Sequence, residues 1–306
     1  DTLANYKNVL ESIVFINPTE NPSTFGTQSE RELKYQLFDN TSISNNVITV
    51  FSIVAVGDAP VLNAFDTTPI FTEQGSAVIL DNSLTFSDID SINLIGANIS
   101  ISANFLEGDF LGVTLGVSGL SSSYDSALGI LTLSGSANIT TYESIAETVY
   151  FSSSNQNPDY YGFISARNIT MSIYDELSLS ANSNIVTTII GVNDTPSITW
   201  TDNSKIYQEH DPWLNISDNL ITIDIDSLEL KGANIIISDN LVNGDELKLG
   251  TVTSNIFAFA YESNTGSIRI SGNASLSDYQ TYMRTLCYRH TGENPDVTGI
   301  NANRKV

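Results

Sequence analysis

Between clusters of Gly, Asn, Asp and Ser, the apolar residues of this chain fall into short runs rich in β-branched side chains. That pattern predicts strands joined by polar turns. It is clearest over residues 77–80, 97–101, 130–133, 163–173 and 185–192. A second rhythm interrupts it: Ile139, Tyr142, Ala146 and Val149 recur at helical spacing, as do Leu3, Tyr6, Leu10 and Ile13, and Leu276, Tyr279, Met283 and Leu286. Three short helices are therefore expected among the strands. Thr140 with Glu143, and Ser277 with Gln280, have capping-box form, in which a hydroxyl takes an orphan amide and the longer side chain reaches back. The first helix has Ala4 and Lys7 in those places, so its start is expected to fray.

The patterns repeat. Asp58-Ala-Pro60 returns as Asp194-Thr-Pro196, Asp88-Ile-Asp90-Ser91 as Asp224-Ile-Asp226-Ser227, and Gly96-Ala-Asn98 as Gly232-Ala-Asn234, each 136 residues on (194 − 58). Ser134-Gly135 and Asn157-Pro158-Asp159 return as Ser271-Gly272 and Asn294-Pro295-Asp296, now 137 residues on (271 − 134). Asn21-Pro22 and Phe38-Asp39 precede Asn157-Pro158 and Tyr174-Asp175 by 136. A fixed period of this kind signals tandem copies of one unit. Residues 1–56 then read as the C-terminal half of a repeat, 57–192 as a complete repeat, and 193–306 as a repeat lacking its final strands. Half a sandwich leaves strand edges and apolar faces open, so the ends are expected to be completed by more of the chain or by another subunit.

Composition narrows the function classes. The 35 acidic residues outnumber the 12 basic ones, giving a formal charge of −23. Such a surface repels nucleic acid and anionic lipid, and no run approaches the roughly 18 apolar residues that span a bilayer. With one cysteine, Cys287, there is no intrachain disulfide and no zinc spacing; a packing position on a strand is expected for it. The N-terminus carries no charged-then-apolar signal, so a secretion signal is expected to lie upstream or to have been removed.

Within each period the order is fixed: a Glu after the linker (Glu73), an Asp-x-Asp (Asp88, Asp90), a Gly-Asp (Gly108-Asp109), a strand pair from Tyr124-Asp125 through Gly129 to Gly135, and a closing Val192-Asn-Asp-Thr-Pro196. This series resembles cadherin-like repeats of the type found in giant bacterial adhesins and chondroitin-sulphate-proteoglycan-like proteins. The resemblance covers nearly the whole chain and implies a mainly β fold of tandem Ig/cadherin-like Greek-key β-sandwiches, each with one short helix. It also implies that acidic groups of successive repeats converge on calcium. The chain departs from the cadherin pattern in its linker, one residue shorter and with Ala55 and Val56 before Gly57-Asp58, and in lacking a Leu-Asp-Arg-Glu motif.

On this resemblance Asp58, Asp88, Asp90 and Asp175 are the expected calcium ligands of the first junction, and Glu73, Asp194, Asp224 and Asp226 those of the second, since calcium takes six to eight hard oxygens. The alternative is that these are solvated turn residues. Seven Asn-x-Ser/Thr sequons mark candidate glycosylation sites at Asn40, Asn98, Asn138, Asn168, Asn215 and Asn273, with Asn193 in the linker the poorest.

No enzyme constellation stands out: His210 and His290 have no His partner at ligand spacing, Gly-x-Ser-x-Gly is missing, and a pair such as Asp88 and Asp90 that recurs in each repeat fits a structural role better than glycoside hydrolysis. The expectation is a non-enzymatic extracellular or cell-surface protein, adhesive or structural, forming a rod or filament whose partners are neighbouring repeats or identical subunits end to end. The alternative is a carbohydrate-binding module in which Trp200, Trp213 and Tyr207 stack on surface glycans.

Overall fold

A computed structural model of the chain describes residues 2–39, 41–63, 67–176, 182–201, 204–251, 257–296, 299 and 303–306. The chain divides into two compact units, Asp1–Pro158 with Ile164–Ile190, and Asp159–Phe163 with Gly191–Val306. The first holds α1 (Leu3–Glu11), β1 (Glu30–Tyr35), β2 (Val47–Ser52), β3 (Val61–Leu62), β4 (Ile70–Thr72), β5 (Val78–Ile79), β6 (Phe86–Ser87), β7 (Asn93–Ala103), β8 (Asp109–Gly112), β9 (Ser121–Asp125), β10 (Ile130–Asn138), α2 (Ile139–Ala146), β11 (Tyr150–Ser153), β12 (Ala166–Tyr174) and β13 (Ser183–Ile190). The strand expected from Phe163 starts only at Ala166, because Tyr160 and Tyr161 turn through positive φ just before it, and the last strand ends at Ile190 rather than Val192.

Strand alternation builds a β-sandwich here. One sheet runs β4-β13-β12-β7-β10-β9 and another β5-β11-β8, while β1-β2 and β3-β6 form pairs. Every second side chain of β7 and β12 faces inward, so Ala97, Ile99, Ile101, Ile169, Met171 and Ile173 meet Leu111 and Phe151 of the smaller sheet. Phe71 packs edge-on against Phe151 at 5.4 Å between ring centroids. The pairing is antiparallel except between β4 and β13, which run parallel. Gly135, at φ +127°, sits where β10 bulges between Ser134 and Ala137, and Gly272 repeats that angle.

The second unit comprises β14 (Ser197–Trp200), β15 (Leu214–Asn215), β16 (Leu220–Ile223), β17 (Glu229–Ile236), β18 (Asp245–Lys248), β19 (Phe257–Ala258), β20 (Ser267–Ser275), α3 (Leu276–Met283) and β21 (Cys287–His290). Its sheets are β14-β16, β15-β21-β18 and β17-β20-β19. β18, β20, α3 and β21 begin and end 136 or 137 residues after β8, β10, α2 and β11, so the sequence period is a period of structure. Tyr142 and Tyr279 are both fully buried, and each hydroxyl donates at 2.6 Å to the carbonyl of its bulge glycine, Gly135 or Gly272. Their counterpart Tyr6 is exposed, and α1 buries none of its residues. Cys287 is half-buried on β21, where burial raises its thiol pKa. No helix among the described residues is long and apolar enough to cross a membrane.

All three helices form where the spacing predicts, but their caps lie elsewhere. Asn138 Oδ1 accepts from Thr141 N at 2.8 Å and Ser275 Oγ from Asp278 N at 3.1 Å. Thr2 does the same for Asn5 N at 3.3 Å, so the first helix is capped and not frayed at its start. These three caps occupy equivalent repeat positions, two residues before the expected ones. Glu143 and Gln280 do not reach back; their side-chain oxygens accept from Phe86 N at 2.7 Å and Thr222 N at 3.1 Å, tying each helix to β6 or β16. Ser275→Ala should therefore destabilise the second unit by about 1 kcal/mol, and Ser277→Ala should leave it unchanged. Urea denaturation measures both; the opposite ranking would return the cap to Ser277.

Candidate cation site

The Asp88-Ile-Asp90-Ser91 segment links β6 to β7 as a turn closed by its own side chain. Asp88 Oδ1 accepts from the amides of Asp90 at 3.0 Å and Ser91 at 2.7 Å, the local bond that makes Asp a turn former. The reversal aims Asp90 back at the linker, where its Oδ2 accepts from Asp58 N at 3.2 Å. Ser91 Oγ donates to Asp175 Oδ2 at 3.2 Å, joining the end of β12 to the same turn. Asn21 Nδ2 adds a bond to Ile89 O at 3.0 Å. The second unit repeats the clasp: Asp224 Oδ1 accepts from Ser227 N at 3.0 Å, and Asp226 Oδ2 from Asp194 N at 2.7 Å.

This geometry gathers carboxylates. Oxygens of Asp88, Asp90 and Asp175 lie within 4.8 Å of one another. Burial, with the Asp90 carboxylate beside it, holds the pKa of Asp88 above the usual carboxylate range; burial and Asp226 do the same to Asp224. Asp88 Oδ2, Asp90 Oδ1 and Asp226 Oδ1 are buried and meet no hydrogen-bond donor among the described residues. A buried anionic oxygen without a partner is costly, and a hard divalent cation is the ligand whose charge and oxygen preference fit it. The residues present therefore fit a hard divalent cation.

Of the expected ligands, Asp58 and Asp194 enter the clasp through their backbone amides, and the Asp58 carboxylate is not among the gathered three. Glu73 is buried in the first unit at the end of β4, its amide donating to Ile190 O at 2.8 Å. Among the sequons, Asn98 donates to Tyr174 Oη at 2.8 Å and Asn215 to Arg284 O at 2.8 Å, so a glycan there would replace an internal bond. Asn138 is exposed but caps α2, Asn168 and Asn273 are exposed on β12 and β20, and Asn40 lies outside the described residues. Trp213 is covered by the Arg289 guanidinium 4.4 Å from its centroid, Trp200 packs on the core under α3, and Tyr207 packs edge-on against Tyr288. The three aromatics are engaged internally.

A buried ion pair recurs with the period. Arg167, fully buried on β12, places Nε 2.5 Å from Asp109 Oδ2 and a terminal nitrogen 3.3 Å from Asp109 Oδ1, and donates also to Pro158 O at 2.7 Å. Arg304 repeats this with Asp245 and Pro295 O, and Asp245 further accepts from Tyr288 Oη at 2.6 Å and lies 3.0 Å from His290 Nδ1. Arg31, the third copy, donates to Pro22 O at 2.7 Å. Each arginine thus fixes an Asn-Pro loop, and in the first unit the Asn21-Pro22 loop in turn meets the Asp88–Asp90 turn. The signal in the sequence was an arginine recurring at one repeat position in a chain with 12 basic residues.

No family model matches the chain, and no curated protein matches it. Among solved structures it is similar to human CDH23 EC21-23 at 16% identity, covering 80% of this chain and 64% of that one with a TM-score of 0.26. The protocadherin gammaB7 EC3-6 cis-dimer structure is similar at 13% identity, 81% and 53% coverage and a TM-score of 0.26. Domains 4-9 of the surface layer protein SbsC are similar at 9% identity, 80% and 31% coverage and a TM-score of 0.25. The chain spans less than two thirds of the length of each.

Proposed function

We propose that this chain is a run of cadherin-like β-sandwich repeats, 1–56, 57–192 and 193–306, in a non-catalytic extracellular protein that serves as an adhesive or structural rod stiffened by calcium at its junctions. The observation that carries this reading is the recurring clasp: in both units an Asp-x-Asp turn holds the amide of the incoming chain and keeps buried carboxylate oxygens that meet no donor among the described residues. Asp88, Asp90 and Asp175 would hold an ion in the first unit, and Asp224 and Asp226 in the second. Bound calcium would supply positive charge that turns carboxylate repulsion into a cross-link between linker, turn and strand end. Neighbouring repeats or further copies end to end are the partners such a rod requires.

X-ray scattering of the whole chain tests the reading. With millimolar calcium the profile should be that of a stiff particle, and chelator should broaden its pair-distance distribution. Identical profiles in both conditions would leave the linkers' own packing as the source of any rigidity. A glycan array separates the alternative carbohydrate-binding module, since the rod has no discrete sugar ligand.

A further inference from the structure

In the second unit the turn after Tyr207 and the segment after β21 bring Glu209, His210 and Glu293 together. One ligand atom from each lies within 4.8 Å of the others, and His210 Nε2 is 3.5 Å from Glu293 Oε2. We propose that these three residues form a surface site for a borderline divalent cation of the zinc, nickel or cobalt kind, separate from the acidic calcium clusters.

The two loops are held in place independently of any ion. Asp211 N donates to Gln208 O at 2.9 Å and Gln208 N to Asp211 Oδ2 at 3.3 Å, closing the turn that carries Glu209 and His210. Tyr207 Oη reaches both Asp211 O and His290 O, at 3.1 and 3.2 Å, and so ties that turn to the end of β21. Thr291 N then donates to Gly244 O at 2.9 Å, anchoring the segment that leads to Glu293. Neither loop therefore has to be ordered when a cation arrives, which removes part of the entropic cost of binding.

Comparison with the other repeat isolates the chemical change. Glu209, His210 and Glu293 stand where the first unit has Glu73, Gln74 and Gln156. His210 and Gln74 share the left-handed backbone, at φ +68° and +59°, so the turn is conserved while its side chain changes. Two neutral amides have become an imidazole and a carboxylate, and these two are the groups in contact. The 3.5 Å between His210 Nε2 and Glu293 Oε2 suits neighbouring positions on an ion with metal–ligand distances of about 2.0–2.2 Å. A nitrogen donor favours zinc, nickel or cobalt over calcium, which takes oxygen ligands. His210 and Glu293 are 67% and 89% exposed in their side chains, which leaves the remaining coordination positions to water.

The experiment is a zinc titration by calorimetry on the intact, metal-stripped chain with calcium in excess, so that the acidic clusters are already filled. One zinc per chain is expected. His210→Gln, which installs the residue the first unit carries on the same backbone, should weaken binding about tenfold or more with unchanged circular dichroism, and Glu293→Gln should weaken it also. Asp88→Asn should leave zinc binding intact, which keeps this inference distinct from the calcium reading. Lack of a one-to-one isotherm, or equal affinity in wild type and His210→Gln, overturns the site.

Discussion

Replacing Asp109 by alanine is expected to lower the stability of the first unit by about 3–5 kcal/mol, the cost of leaving a buried charge without its counter-ion. Arg167 has no exposed surface, and its Nε–Asp109 contact is 2.5 Å, so the guanidinium cannot turn to water without opening the sandwich between β8 and β12. Converting both partners, as Asp109→Leu with Arg167→Met, should recover most of the loss, because an apolar pair of similar volume carries no desolvation penalty. Denaturant unfolding of the wild type and these two variants measures the difference. Equal destabilisation in the single and double variants would mean that the bond from Arg167 to Pro158 O, and not the ion pair, carries the effect. In the second unit Asp245 gives the same pair a pH signature. Burial opposes its charge, but hydrogen bonds from Arg304, Tyr288 and others prevail and hold its pKa below the usual range. Its contribution is present above the unfolded carboxylate value and is lost as pH falls through the lower folded one.

Calcium should raise the midpoint of thermal unfolding of the first unit by several degrees, and chelator should reverse the rise. With a dissociation constant of about 10⁻⁴ to 10⁻³ M, about 10 mM calcium stabilises one site by about 1.4–2.7 kcal/mol, or roughly 3–10 °C for a unit of this size. The pH dependence has opposite signs in the two states. Asp88 has a folded pKa raised by burial and by Asp90, so without calcium the fold gains stability as pH falls through that raised value from neutral. With calcium, protons compete for the same oxygens, and the midpoint should fall toward the metal-free one over the same window. Asp88→Ala with Asp90→Ala should remove both the calcium response and the acid gain. A calcium-induced rise in midpoint that persists in that double variant would place the ion elsewhere.

The parts of this fold legible in sequence are those set by spacing. The 136-residue period found the Asp-x-Asp turns, and helical periodicity found α1, α2 and α3, because both are local or strictly repeated properties. The caps were misplaced by two residues: Asn138 and Ser275 belong by pattern to the preceding strand, and only the chain's turn at that point makes them acceptors. Asp58 and Asp194 were legible as recurring residues, whereas their use of an amide in the clasp depends on the path of the chain. The pairing of Arg167 with Asp109 spans 58 residues and two sheets, and that of His210 with Glu293 spans 83, distances over which one sequence holds no pairing information. What it did hold was the recurrence of the arginine, and the exchange of two glutamines for histidine and glutamate between repeats.

The parallel pairing of β4 with β13 has a mechanical consequence. β4 follows β3, and β13 ends at Ile190, where the first unit ends. Tension along the chain therefore pulls these two neighbours in opposite directions along a common axis. Thr188, Ile189 and Ile190 face Ile70, Phe71 and Thr72, and flanking bonds run from Thr188 N to Pro69 O at 2.9 Å and from Glu73 N to Ile190 O at 2.8 Å. Load in that direction shears the whole patch at once, whereas an antiparallel pair pulled from one end opens one bond at a time. A unit built this way would meet extension with the β4–β13 pairing itself, whose Phe71 and Ile189 belong to the apolar core.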